Sequence, residues 1–97
     1  MIPSVSEEAD RELTDATIYY AHEASPALAL AFVAEFERTL GLLCSHPYLA
    51  AVWHNNRRRF PLRRFPFSII YYVHDNELRV IALAHHRQKP AYWVRRK

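Results

Sequence analysis

The sequence predicts an α+β domain with two N-terminal antiparallel helices packed on one face of a small antiparallel sheet, in the order β-α-α-β-β-β. Three observations predict it. Apolar residues recur at helical spacing up to residue 46, and they alternate like strand residues from residue 57 onward. Near the C-terminal end, two β-rich runs flank the short polar pair Asp75-Asn76, which reads as a hairpin.

The elements follow in order. Ile2 to Val5 is a short candidate strand. Ser6 is a helix N-cap, and Glu7, Glu8 and Asp10 crowd the first turns, where the helix dipole favours negative charge. Ala9, Leu13, Ala16 and Tyr20 then share one face, so the first helix spans 7–22. Ser25-Pro26 starts a second helix, with Pro at the first helical position. Ala29, Phe32, Val33, Phe36, Leu40 and Leu43 form its apolar stripe, and Pro47 stops it at residue 46. Residues 48–56 read as a loop ending in the turn signal Asn55-Asn56. Strands follow at 57–62, 67–74 and 77–85, with Pro61 marking the first as an edge or a bulge. A two-residue turn at Asp75-Asn76 sets Val73 opposite Leu78, Tyr71 opposite Val80, Ile69 opposite Ala82 and Phe67 opposite Ala84. This apolar face is expected against the helices, with Ala82 and Ala84 making room for Phe32 and Phe36. The other face holds Tyr72, Ile70, Arg79, Ile81, Leu83 and His85. It is too apolar to stand bare, so a cover is expected from the C-terminal tail, a second subunit or a partner chain.

Composition narrows the function. A chain of 97 residues fits one domain, 1–97, and 51% hydrophobic residues suffice for a core. Cys44 is the only cysteine, so no internal disulfide forms and a reducing compartment suits the chain. The N-terminus lacks the basic and apolar regions of a signal peptide, and the longest apolar run, Ala27 to Ala34, is too short to span a membrane. A cytoplasmic location is expected. Charge is split: residues 1–56 carry two basic and eight acidic side chains, net −6, whereas residues 57–97 carry eleven basic and two acidic, net +9. The basic half is expected to meet an anionic partner, either nucleic acid or an acidic protein segment.

The chemistry-bearing residues crowd the C-terminal end, His85-His86-Arg87-Gln88-Lys89-Pro90-Ala91-Tyr92-Trp93-Val94-Arg95-Arg96-Lys97. Adjacent strand residues point to opposite faces, so His85 and His86 do not chelate one ion together, and no metal or other cofactor is expected. With Gly41 the only glycine, neither a Gly-rich phosphate loop nor a serine nucleophile elbow can form. Two readings remain. In the catalytic one, His85 or His86 serves as acid or base on RNA, Arg64 and Arg87 steady the phosphate, and Tyr92 orients or donates a proton. In the binding one, Arg57, Arg58, Arg59, Arg63, Tyr72, Ile81, Leu83, Trp93, Arg95 and Arg96 form a basic, aromatic-studded surface for a partner.

The run Arg64-Phe65-Pro66-Phe67-Ser68-Ile69-Ile70-Tyr71-Tyr72 resembles the strand pattern of ParE/RelE-type toxins, the plasmid-stabilisation proteins. So does Ile81-Ala82-Leu83-Ala84-His85-His86-Arg87, followed by Pro90, Tyr92-Trp93 and Arg95. Glu8-Ala9, Leu13, Ala16 and Tyr19-Tyr20 in the first helix, and Ala31-Phe32, Phe36 and His46-Pro47 in the second, extend the resemblance over nearly the whole chain. It implies two helices on an antiparallel sheet. It also implies a growth-inhibiting toxin, neutralised in a hetero-oligomer by a cognate antitoxin. RelE-like members cleave mRNA on the ribosome, and ParE-like members inhibit DNA gyrase. The His-His-Arg…Pro-x-Tyr-Trp ending is closer to the ParE-like branch, and Lys89 and Lys97, the only lysines, do not supply a lysine-based RelE site. The expected antitoxin segment is acidic and amphipathic and lies over Tyr72, Ile81 and Leu83.

Overall fold

The computed structural model describes all residues, Met1–Lys97. Strand β1 (Ile2–Val5) leads into helices α1 (Glu7–Glu23) and α2 (Pro26–Ser45), and β2 (Val52–His54), β3 (Arg57–Pro61), β4 (Phe67–His74) and β5 (Glu77–His85) follow. Both helix starts use the serine caps read from the sequence. Ser6 Oγ accepts the Ala9 N–H at 3.1 Å, and Ser25 Oγ accepts the Leu28 N–H at 3.1 Å. Each cap satisfies an amide that would otherwise lack a partner in the first turn.

The sheet order is β1-β5-β4-β3-β2. The meander β2 to β5 is antiparallel, as expected, but β1 runs parallel to β5. Four residues carry no signal of direction. What fixes β1 is its junction with α1: the Ser6 N–H donates to Val80 O at 2.9 Å, so the helix starts on the sheet. Strand β2 also falls in the segment expected to be loop. Three residues are too few to show an alternation. Asn55 and Asn56, at φ 47° and 64°, supply the left-handed turn that folds β2 onto β3, and Asp75, at φ 53°, does the same between β4 and β5.

The β4–β5 register corrects the expected one. Tyr71 faces Val80 and Val73 faces Leu78, as read from the sequence, but the pairing then shifts to Ile70 with Ala82, Ile69 with Leu83 and Phe67 with His85. Ile81 is the extra residue of a β-bulge. One inserted residue turns every following side chain to the opposite face. Leu83 therefore lies under the helices, while Ala82 and Ala84 face away from them. The helix-side core sets Phe32, Phe36 and Leu43 against Ile69, Tyr71, Leu78, Val80 and Leu83. Phe32 stacks at 5.1–5.2 Å against Tyr20, Phe65 and Phe67, so aromatic rings occupy the space assigned to the two alanines.

Glu35 ties α2 to the β3–β4 loop. Its carboxylate accepts Arg38 Nε at 2.8 Å and Nη2 at 2.9 Å, the Thr39 hydroxyl at 3.0 Å and the Arg63 N–H at 2.7 Å. The hydrogen bonds from Arg38, above all, bring its pKa from 4.5 down to about 2, against the opposing effect of burial. A depressed carboxylate contributes stability above its unfolded pKa and loses it as the pH falls through the folded value. Acid denaturation should therefore show a loss of stability between pH 4.5 and about 2 that Glu35→Gln removes. Equal acid sensitivity of the two proteins, followed by circular dichroism, would contradict the tie.

Candidate functional site

The second face of the sheet is covered by the chain's own C-terminal tail. Past Val80, β5 has lost its neighbour β1, so its outer edge carries unpaired backbone groups. Glu12 of α1 takes one of them: its Oε1 accepts the Leu83 N–H at 3.0 Å. The same oxygen accepts Arg96 Nη1 at 2.8 Å, and Arg96 Nη1 also donates to Ile81 O at 3.1 Å. Oε2 accepts the Tyr92 hydroxyl in a short hydrogen bond. One carboxylate thus closes a sheet edge and fastens the tail. From the other side, Arg57 Nη2 donates to Arg96 O at 3.0 Å, and its guanidinium lies 4.4 Å from the Tyr72 ring centre. Between these ties Trp93, 1% exposed, packs on Ile70, Ile81 and Ala82.

The tail leaves β5 through a tight turn. The Arg87 N–H donates to His85 Nδ1 at 3.0 Å, and the His85 N–H donates to Gln88 Oε1 at 2.7 Å. The first bond leaves Nε2 to carry the proton of the neutral His85 ring. Burial, then the charges of Arg87 and His86, pushes the His85 pKa below 6.5, so the ring is neutral at pH 7. His86 Nε2 lies 3.0 Å from Ser68 Oγ. Between this turn and β2–β3 is a partly open recess of about 130 Å³, whose walls include Trp53, Arg59, Ile70, His86, Lys89 and Trp93. No carboxylate lines it. Imidazoles, one guanidinium and one ammonium beside two indoles, 5.4 Å apart, suit an anionic group attached to an apolar or aromatic one.

The candidate residues separate in space. His85, His86 and Tyr92 line the recess together. Arg64 does not join them: at φ 70° it sits in the β3–β4 loop beside Ala31, Glu35 and Arg38, its guanidinium over Phe65. Arg87 is exposed on the turn. The Tyr92 hydroxyl is committed to Glu12; burial first, then the Glu12 hydrogen bond and charge, raises its pKa above 10. Of the basic and aromatic surface residues, Arg59, Arg63 and Arg95 are exposed, whereas Arg57, Arg58, Tyr72 and Arg96 are half-buried and held by internal contacts. Ile81, Leu83 and Trp93 are at most 1% exposed: Leu83 lies under the helices, while Trp93 of the tail covers Ile81, where an outside segment was expected. No three His, Cys, Asp or Glu side chains cluster as metal ligands would.

Sequence reasoning missed Glu12, which entered only the acidic count of residues 1–56. Its signal was present: Glu12 is three residues after Ala9 and four before Ala16, on the face those two buried alanines define. A carboxylate on a buried face needs partners.

The fold is thus a helical hairpin on a β-meander, with a basic tail folded across the far face. The structure is similar to a chain of the chromosomal ParDE toxin–antitoxin system from P. aeruginosa, with a TM-score of 0.77 and 19% identity, over 88% of this chain and 95% of that one. The sequence matches none of the curated proteins. Residues 4–90 match the family described as the ParE toxin of the type II toxin–antitoxin system parDE. The chain belongs to that family.

Removing the Glu12 carboxylate strands the Leu83 N–H, the Tyr92 hydroxyl and the Arg96 charge at once. Glu12→Ala should cost about 2–4 kcal/mol in denaturant unfolding, and Tyr92→Phe about 1 kcal/mol. Equal costs for the two would show that Glu12 is only one contact among several.

Proposed function

We propose that this chain is the toxin of a cytoplasmic type II toxin–antitoxin pair, neutralised by a cognate antitoxin in a hetero-oligomer, and that it acts by binding DNA gyrase rather than by cleaving RNA. The family match over residues 4–90 supports the toxin reading. The observation that carries the choice of target class is the state of the would-be catalytic groups. The Tyr92 hydroxyl is donated to Glu12, His85 Nδ1 already accepts a backbone N–H, and Arg64 lies outside the recess. General acid–base cleavage of RNA needs a free acid, a free base and cations converging on one phosphate. An inhibitor that works by binding needs only the surface. No helix is long and apolar enough to cross a membrane.

One observation favours the second reading, a ribosome-dependent endoribonuclease: His86 is exposed and lines the same recess as Arg59 and Lys89. Induction of the chain without its antitoxin separates the two. Gyrase inhibition predicts filamentous cells and a DNA-damage response with intact ribosome-bound mRNA. Prompt codon-positioned cleavage, abolished by His86→Ala, would replace gyrase with mRNA as the target; loss of a general acid or base lowers such a rate about a hundredfold or more. Normal growth with folded, abundant protein would leave only a non-toxic interaction module.

A further inference from the structure

The recess between β2–β3 and the turn after β5 has fixed walls. Its turn is held at both ends: the His86 N–H donates to Pro66 O at 2.9 Å, and the His85 N–H donates to Gln88 Oε1 at 2.7 Å. The His86 ring is set by Ser68 Oγ at 3.0 Å, on a serine that is fully buried. Ala91, in the wall, holds φ 59°, a left-handed conformation that is unfavourable for a residue with a Cβ. The tail then returns to the sheet, where Trp93 packs on Ile70 and both line the recess.

Three side chains that can carry positive charge border this space. Arg59 pairs across strands with Ile70 of the tail-side cluster, and its guanidinium lies 5.2 Å from the Trp53 ring centre. Lys89 and His86 border it from the turn. All three are exposed, and none forms an ion pair within the chain. Three such groups around one space call for more than the single charge of a carboxylate. A phosphate carries nearly two charges and takes an arginine through two parallel hydrogen bonds. Between the cations, Trp53, Ile70, Pro90 and Trp93 make the walls apolar. The volume, about 130 Å³, is well under the roughly 300–1,000 Å³ of pockets that enclose a whole small molecule. It takes one ring and leaves the rest of the ligand at the mouth.

We propose that the recess binds a free nucleoside monophosphate, with its base against Trp53 and the apolar wall and its phosphate on Arg59, Lys89 and His86. The inference rests on the recess and not on the choice of target. A nucleic-acid strand fits this face less well, because it needs successive stacking surfaces and a track of free cations. Here the Arg57 guanidinium covers the Tyr72 ring, and Arg57 Nη2 is donated to Arg96 O. Tyr92 is tied to Glu12 and stacked by Arg96, whose Nη1 is itself donated to Glu12. Trp53, 45% exposed, is the ring left open beside the recess.

The test titrates the full chain with uridine monophosphate, uridine, inorganic phosphate and a short oligouridylate, followed by tryptophan fluorescence and amide chemical shifts. Uridine monophosphate should bind saturably, shift the amides of Lys89, Ala91 and Trp93, and bind about tenfold or more tighter than uridine or phosphate alone. Arg59→Glu with Lys89→Glu should weaken it about a hundredfold. Arg63→Glu with Arg95→Glu, the same charge change outside the recess, should alter it less than about threefold. Trp53→Ala should weaken uridine monophosphate and leave phosphate unchanged. All five positions are exposed, so each variant should melt with the parent. Absence of saturable binding below about 10 mM overturns the proposal. Equal weakening by the two charge-reversed pairs also overturns it, since bulk charge would then be the cause. Phosphate bound as tightly as uridine monophosphate would leave no role for the base and refute the site as described. An oligouridylate bound about a hundredfold tighter than the mononucleotide at the same amides would make a strand the ligand, against the proposal.

Discussion

The arrangement of the second face depends on one carboxylate. Glu12 lies on the buried face of α1, where an unpaired charge would be costly, and it is reconciled with that position by three donors from two parts of the chain, β5 and the tail. The Leu83 amide belongs to a sheet edge that β1 is too short to cover. Tyr92 and Arg96 belong to a tail with no regular secondary structure of its own. Each needs Glu12, and Glu12 needs all of them. A bulge at Ile81 makes the arrangement possible, because it turns Leu83 into the helix-side core and leaves Ile81 and Ala82 for Trp93 to cover.

This closure decides which parts of the surface remain for partners. The tail's aromatic and basic groups serve the fold first: Trp93 as core, Tyr92 and Arg96 as ties. What is left outside is a recess with two histidines at its mouth and an apolar edge strand with a stacked arginine on each side. Both lie at the basic end of a chain whose acid is concentrated on its helices. Such separation guides an acidic partner to one end of the molecule and mainly affects the rate of encounter.

Most of the fold was legible in the sequence because the signals were local. Ser6 and Ser25-Pro26 set the helix starts, the Phe32/Phe36 stripe set the buried face of α2, and Asp75-Asn76 set the hairpin. Three features were not legible, for stated reasons. Strand β2 is too short to alternate. The direction of β1 follows from a bond between Ser6 and a strand more than 70 residues away. The bulge at Ile81 leaves the alternation of Val80, Ala82 and Ala84 looking regular while reversing its meaning. The site suffered most from that last point, since the residue types were found but their faces were not. Ile81 and Leu83 looked like members of one face and lie on two.

The central claim is that Glu12 closes the β5 edge and the tail as one unit. Amide hydrogen exchange at Leu83 tests it most directly, because that N–H has a side chain, not a strand, as its acceptor. In the parent protein Leu83 should exchange as slowly as the core amides of Ile69 and Tyr71. In Glu12→Ala it should exchange quickly, together with Val94 and Arg96, whose N–H groups are bonded within the tail, while Ile69 and Tyr71 stay protected. Fast exchange at Leu83 in the parent, or slow exchange in the variant, would contradict the account.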